Sequence, residues 1–522
     1  MSRLNERYTA MDILTRPEFN PLFKMISSVP EVASYLDELV APMVLNQSVS
    51  FYSEFVSKIS VAMQLCGAGI LKKSFEKMDT AFRYSPGRAE QYYVKNTRNR
   101  TIITIFGEVT YRRTEYVDRS TGIPFVYVDE EIGLFRRQRY DSTIAALAYD
   151  AYSHHTSMIE VGKQIGDRIA GFRLDPDRGK YAISRQQIFN MINRFSSIKT
   201  APPKADETPG TLYIMADEKY IHLQQEMEEW RAGLFREGYS LKDVGQMEKG
   251  KHFSEMVKLA VLFTGRKKLL NKSGEPLKRP RWTLTGTHYM AFPHDTKDFW
   301  PQVYDEVSSI YDMGKVKRIY ILGDGAEWIR AGVNEMTSEN CKVKFALDRY
   351  HLSKKINTIT KEKAYRKLLT DYARNGDLTS FQATVSSLFS GKDMPDKTQE
   401  AVDYVLKHIE AAVVMNNEVK VGCGMEQAIS HVLASPFTAI PKAYVSDHLH
   451  TYVQARIFYK NSLDPVRIYL RACDTVKDIG KLNDPLEQID LAKESLDFSM
   501  FDTKKSMPYH HANLDSVMKK RF

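Results

Sequence analysis

Cysteine is scarce. Four occur in 522 residues, Cys66, Cys341, Cys423 and Cys473, and no two form a CxxC pair. That argues against a disulfide framework and against a cysteine-based zinc site, leaving each as a small buried residue. Long apolar runs are lacking too: the stretches 60–71 and 256–264 fall far short of the roughly 20 residues a bilayer demands. The N-terminus shows no basic-then-apolar leader pattern, so the expectation is a soluble, cytoplasmic protein with no membrane partner. GxxxxGK(S/T), HExxH and paired cysteines are all missing, which removes support for nucleotide hydrolysis, zinc proteolysis and zinc fingers. GCG at 422–424 is too short for a dinucleotide fingerprint.

What is present is a chain that is 43% hydrophobic and 27% charged, enough to bury several cores in roughly two to four units. Its net charge of +9 suits a polyanion, since each Lys or Arg that neutralises a phosphate releases condensed counterions. Basic residues gather in 71–100, where Lys72, Lys73, Lys77, Arg83, Arg88, Lys95, Arg98 and Arg100 outnumber Glu76, Asp79 and Glu90. A solvated face has the same composition.

The apolar spacing is helical over most of 1–100, as in Val32, Ala33, Tyr35, Leu36, Leu39, Val40 and again in Phe51, Phe55, Ile59, Ala62. TIITIF and VTYRRTEY, joined by Gly107-Glu108, read as a β-hairpin from residue 101. Helical spacing returns at 143–152, 158–165 and 184–195, the last with Ser184 as N-cap. Three short helices ending in one that carries Arg185, Gln186, Gln187 and Asn190 are what a helix-turn-helix presents to a major groove, although ordinary helix packing yields the same string. The region 101–196 is therefore read as a DNA-binding segment. SSIKTAPPKADETPG then supplies a linker at 197–210.

Beyond it the order becomes strand (211–224), strand (256–270), strand (281–291), helix (296–311), strand (317–322), helix (326–336) and strand (343–347). An all-helical stretch fills about 353–420, one more helix runs 426–433, ending before Pro436, and 437–522 is a partly disordered C-terminal region whose final stretch, 474–522, is polar and weakly patterned.

Two carboxylates stand out. Asp217 interrupts the apolar run LYIMADEKY, and a mid-strand carboxylate is costly unless something positive meets it. Asp324 lies where RIYIL breaks into GDGAEWI, the kind of strand end at which α/β sheets hold ligands. Flanking Gly323 and Gly325 allow close approach, and the next helix N-terminus favours negative charge. Capping that helix is the plainer role for Asp324. If the first and fourth strands are neighbours, both acids reach one edge, where two hard cations could activate an attacking oxygen and stabilise a leaving one in phosphodiester displacement.

The segments ADEKYIHLQ, LGDGAEWI, ALDRYHLSK and GCGMEQAISHVLASP, with the hairpin FGEVTYRRTEY before them, resemble bacterial insertion-sequence transposases of the ISLre type, whose catalytic layout is similar to that of Mutator-like transposases. The resemblance covers most of the chain. It implies an α/β fold: a ribonuclease-H-like catalytic domain at 211–436 with an all-helical insertion, preceded by a mainly helical DNA-binding region containing a β-hairpin. It further implies that Asp217, Asp324 and Glu426 are the catalytic acids and metal ligands, holding two Mg2+ or Mn2+ ions. Glu327, Glu410 and Glu418 compete with Glu426 for the third place. Asp348 and His351 match an Asp-x-x-His signature of the family, in which the aspartate would orient the histidine. Trp328 and Tyr350 flank the acids and could stack on an unpaired base, a core role being the plainer reading.

The implied partners are terminal inverted repeats, target DNA and further copies of the chain, with a nucleoid location. Arg185, Gln186, Gln187, Asn190, Lys72 and Lys73 are the expected DNA contacts. The competing readings are a ribonuclease-H-like nuclease without strand transfer and a non-catalytic DNA-binding protein descended from a transposase.

Overall fold

A computed structural model describes residues 49–134, 138–154, 157–171, 181–195, 198, 200–247, 253–271, 274–275, 277, 281–292, 298–419, 421–438 and 444–478. The helical expectation for Val32 to Val40 and the reading of the chain beyond 478 lie outside these residues. Among them the chain forms two units, one from residues 49–198 with 464–478, the other from 200–463. The structure is mixed α/β, and no helix of its described residues is long and apolar enough to cross a membrane.

In the first unit the helix Val49–Arg83 lies along a hairpin of β1 (Tyr92–Thr104) and β2 (Gly107–Asp118), to which β3 (Pro124–Phe125) adds a short third strand. β1 starts at Tyr92, where helix was expected to 100. Its first residues, YYVKNTRNR, are mostly polar because this half faces solvent, and their pairing with Tyr111 to Asp118 holds them extended without an apolar signal. The turn also lies earlier than expected, at Ile105 and Phe106. Gly107 already pairs with Thr104, and Phe106 tucks against Gly67 of the long helix, where a Cβ would come within 2.5 Å of its ring. Phe75 meets Tyr111 edge-on at 4.9 Å, and Phe82 meets Tyr116 edge-on at 4.9 Å, so aromatic rings glue helix to hairpin.

Beneath them Asp129, 1% exposed, is paired with Arg100 at 2.5 Å and with Arg113, and accepts the Tyr111 hydroxyl at 2.6 Å. A buried carboxylate is tolerable when it is this fully matched.

The rest of the unit is helical: Ser142–Ser153, Met158–Ala170 and Arg185–Ile192, capped by Asp141, Ser157 and Ser184 respectively. The three pack on one another, and the late helix Pro465–Asp478 packs on Ser142–Ser153. Tyr469 of that late helix is fully buried against Tyr149 and Phe195, and its hydroxyl donates to the Met191 carbonyl at 2.7 Å. Part of what was read as a loose tail therefore belongs to this core.

The second unit is built on a five-stranded sheet. β4 (Thr211–His222) pairs antiparallel with β5 (Ser254–Phe263), which pairs antiparallel with β8 (His288–Met290). On its other side β4 pairs parallel with β9 (Arg318–Gly323), and β9 parallel with β10 (Lys342–Leu347). The order is β10-β9-β4-β5-β8. β6 (Gly265–Lys268) and β7 (Trp282–Thr285) form a separate two-stranded ribbon, so the single strands expected over 256–270 and 281–291 are each divided. The break comes at Thr264, where the exposed, basic GRKK leaves the sheet that buries VLF.

Helices Phe299–Ile310 and Glu327–Met336 cover one face of the sheet, on Leu212, Ile214, Ala216, Leu262, Ile319 and Ile321. Gly332 admits Trp300 there, since a Cβ would stand 2.4 Å from the indole. From 349 to 417 the chain runs through five helices, Arg349–Ile359, Lys363–Asn375, Leu378–Leu388, Asp396–Lys407 and Ile409–Asn417, around a core of their own that includes Leu352, Leu369, Phe381 and Val405. The helix Met425–Ile429 passes into a π-turn, Ser430–Ala434, and continues through Pro436 to Phe437 instead of stopping before the proline. Proline is accepted because it falls in the first turn after the wider π spacing, where no N–H is needed.

Candidate active site

Register brings the acids into a row. Met215 is level with Leu322 in the parallel β4–β9 pair, so Asp217, two residues on, comes level with Asp324. In the β9–β10 pair Leu347 is level with Gly323, and the next residue, Asp348, donates its N–H to the Gly323 carbonyl at 2.9 Å. Asp324 and Asp348 thus follow the carboxyl ends of β9 and β10, beside Asp217 midway along the adjacent β4. The strands approach closely here: a Cβ on Gly323 would meet the Ala216 carbonyl at 3.0 Å and Ile329 at 2.9 Å.

Asp217 accepts the neighbouring Glu218 N–H at 2.8 Å, yet its carboxyl is pushed up to about 6, first by burial and then by the negative charges of Glu218 and Asp324. Glu218 is likewise raised by burial, against the pull of a 2.8 Å hydrogen bond from Trp328 Nε1. Asp324 accepts the Ala326 N–H at 2.9 Å just ahead of the helix Glu327–Met336, whose N-cap is Ala326, so it braces the turn and caps none of the helix's own N–H groups.

Asp348, buried, caps its own helix through Tyr350 N–H at 3.3 Å and accepts from His351 Nδ1 at 3.1 Å. That hydrogen bond is the main reason the His351 imidazole is held above its ordinary pKa, with Asp324 and Asp217 adding to it. On its far side His351 Nε2 stands 3.8 Å from Glu426, whose side chain is 56% exposed. The competing acids are placed otherwise: Glu418 is engaged by Lys344 at 2.6 Å and Tyr320 at 2.9 Å, and Glu327 and Glu410 are exposed.

Trp328 packs in the sheet core beside Phe299 and Trp300, with Lys258 Nζ 4.9 Å over its ring, so its surface is already committed. Tyr350 is 52% exposed.

Several contributors carried no pattern that sequence reasoning could use. Glu218 and Lys258 are visible only once β4 and β5 pair, since Glu218 is level with Lys258. Tyr404, in the helical insertion, donates its hydroxyl to the Asp324 carbonyl, and burial raises that phenol well above its usual range. His408 lies against Gly325, whose φ of +94° leaves no side chain in its way. The thiol of Cys423 is pushed up by burial and by Asp348, Asp217 and Glu426, so it stays protonated beside the acids.

The arrangement gathers Asp217, Glu218, Asp324, Asp348 and Glu426 around one imidazole and one lysine. Carboxylate oxygens are the donor type that hard divalent cations take, and Asp217 is raised first by burial and then by the charges of Glu218 and Asp324. As the side chains stand, no three His, Cys, Asp or Glu among the described residues are close enough together to hold a metal ion.

In the first unit Arg185, Gln186 and Asn190 are exposed on the outer face of their helix, Gln186 bonding Asn190 at 3.0 Å, while Gln187 is held by the Tyr140 hydroxyl at 3.2 Å. Lys72 and Lys73 are exposed on the long helix.

The family model described as "Uncharacterised protein family (UPF0236)" matches residues 45–252 and 243–468. The chain belongs to this family. Among its relatives, a UPF0236 protein of Caldanaerobacter subterraneus subsp. tengcongensis is 24% identical over 427 residues, 80% of each chain, and bears four locus designations. Another from the same organism, 24% identical over 419 residues (79% of this chain, 78% of its own), bears eleven. Among solved structures, the "Drosophila P element transposase strand transfer complex" is similar at 10% identity over 69% of this chain and 92% of that one, with a TM-score of 0.23, too low to carry an argument.

Proposed function

We propose that the chain is a DNA transposase of ribonuclease-H-like fold that cuts the ends of its own element and joins the freed 3′-hydroxyl to target DNA. One observation carries this: Asp217 and Asp324 leave neighbouring parallel strands at one level, with Glu426 tied to them through His351 and Asp348. The sheet supports the reading, its first strand lying between an antiparallel partner and the fourth strand, as ribonuclease-H-like folds require. The family adds to it: relatives carried at four and at eleven loci of one genome are what a self-copying element leaves behind.

Asp217, Asp324 and Glu426 are the residues that would hold Mg2+ or Mn2+. Such ions, when bound, activate an attacking oxygen and stabilise the leaving one. The protein's own part is positioning. Asp348 fixes the ring of His351 through Nδ1, and Nε2 then faces Glu426, guiding an otherwise exposed side chain towards the aspartates. Tyr404 pins the backbone that carries Asp324. In the first unit, Arg185, Gln186 and Asn190 offer polar tips to base edges, and Lys72 and Lys73 neutralise phosphates.

The test is a cleavage and joining assay with labelled element ends, a plasmid target and Mg2+ or Mn2+. Wild type is expected to nick the end and join it. Asp217→Asn and Asp324→Asn should lose both reactions while still binding end DNA. Joining that survives either substitution refutes the catalytic assignment, and nicking without joining replaces the transposase with a nuclease.

A further inference from the structure

The β6–β7 ribbon takes no part in the site described above, yet its composition is unusual. Lys268 is paired directly with Trp282, and Arg266 with Leu284. Because side chains alternate along a strand, Arg266, Lys268, Trp282 and Leu284 share one face of the ribbon. The Arg266 guanidinium lies 4.3 Å from the Trp282 ring centroid and Lys268 Nζ 5.5 Å from it, while the indole remains 44% exposed. Arg266, Lys267 and Lys268 make no ion pair with any described residue. An indole backed by a guanidinium is a flat platform with fixed positive charge, which fits a base and its phosphates.

The ribbon is not remote from the acids. Arg349, the residue after Asp348, is held below the ordinary arginine pKa by burial, then by Arg374 and Arg266, and it anchors on the Met415 carbonyl at 3.3 Å. The positive charge of the ribbon's Arg266 is thus felt at Arg349, which carries the same sign.

We propose that this face of the ribbon is a landing site for an unpaired DNA strand, with a base stacked on Trp282 and the backbone phosphates on Arg266 and Lys268. Resting on the transposase reading, it supplies what that reading lacked in the second unit, a grip on the single strand exposed when an end is opened. Duplex DNA offers no free base face to the indole. An acidic peptide would use the charges and leave the ring idle.

The test uses the full chain, a fluorescently labelled 20-nucleotide oligo(dT), the same length of duplex and of oligo(rU), and fluorescence anisotropy across salt. Trp282→Ala should weaken oligo(dT) binding roughly five- to hundredfold while leaving duplex binding within about twofold. Trp282→Phe should restore most of the loss. Arg266→Ser with Lys268→Ser, which keeps the indole, should lower the log–log salt slope for the single strand by roughly 1.4, at about 0.7 per phosphate contact. Oligo(dT) should also quench indole fluorescence in wild type and less in Trp282→Phe. Unchanged oligo(dT) binding in both Trp282→Ala and the double variant overturns the proposal, as does an equal loss for duplex, or a preference for oligo(rU). Cutting and joining by wild type, set beside its Trp282-dependent binding, separate the two readings. If wild type neither cuts nor joins but shows the Trp282-dependent binding, the transposase fails and the landing site stands. If wild type cuts and joins with no dependence on Trp282 or the ribbon charges, the landing site fails alone.

Discussion

Replacing Asp217 by Asn should make the protein more stable and inactive at once. Burial raises this carboxyl from the usual 3.8 to about 6, with Glu218 and Asp324 adding to the effect. At 1.36 kcal/mol per pH unit, that rise corresponds to about 3 kcal/mol of destabilisation once the group is fully ionised. The side chain is partly open to water, and screening reduces the figure to about 1–2 kcal/mol. The direction follows from the folded pKa lying above the unfolded one. Between pH 3.8 and about 6 the folded state binds more protons, so stability falls as pH rises through that window, and the deficit is complete above it. Asn keeps the shape and removes the charge. Thermal denaturation at pH 7.5 should place the variant roughly 2–8 °C above wild type, and the gap should close by pH 4. Adding Mg2+ should raise the wild-type midpoint and leave the variant unmoved. Equal midpoints at pH 7.5, or a gap that does not change between pH 7.5 and 4, would refute the argument that an uncompensated carboxylate is stored here.

Glu426→Gln should abolish cleavage with a change in stability under about 0.5 kcal/mol, because the side chain is 56% exposed; chemical denaturation and the joining assay together check it. Gly325→Ala forces a Cβ into a backbone at φ +94° and to 2.7 Å from His408 Nε2, so a loss of about 1–3 kcal/mol and weaker cleavage are expected, read by urea unfolding and turnover. Asp129→Ala strands Arg100, Arg113 and the Tyr111 hydroxyl in the first unit and should cost about 3–5 kcal/mol, with end binding lost in a mobility-shift assay before cleavage chemistry is touched.

The sequence displayed the aspartates because each breaks a strong local pattern: Asp217 an apolar strand, Asp324 a strand-to-helix turn bracketed by glycines. Their meeting depends on β4 and β9 being neighbours, which no local signal states. Asp348 and His351 were readable as a pair three apart, one helical turn, and they are hydrogen-bonded. The ribbon was not readable, since the change from VLF to GRKK looks like a strand running on until the sheet's burial is known. Tyr404 and His408 were invisible for a related reason: they sit on ordinary amphipathic helix, and only the fold of the insertion brings them to Asp324 and Gly325. Trp328 follows the plainer of its two readings: it is packed into the core against Phe299 and Trp300, with Lys258 over its ring.

The burial of Tyr469 between Tyr149 and Phe195 ties synthesis to function. A ribosome must finish the whole second unit before the helix Pro465–Asp478 emerges to close the core of the first. A growing or prematurely stopped chain therefore leaves the apolar face of the Ser142–Ser153 helix open, and a frameshift anywhere before codon 465 yields no fragment with an intact first unit.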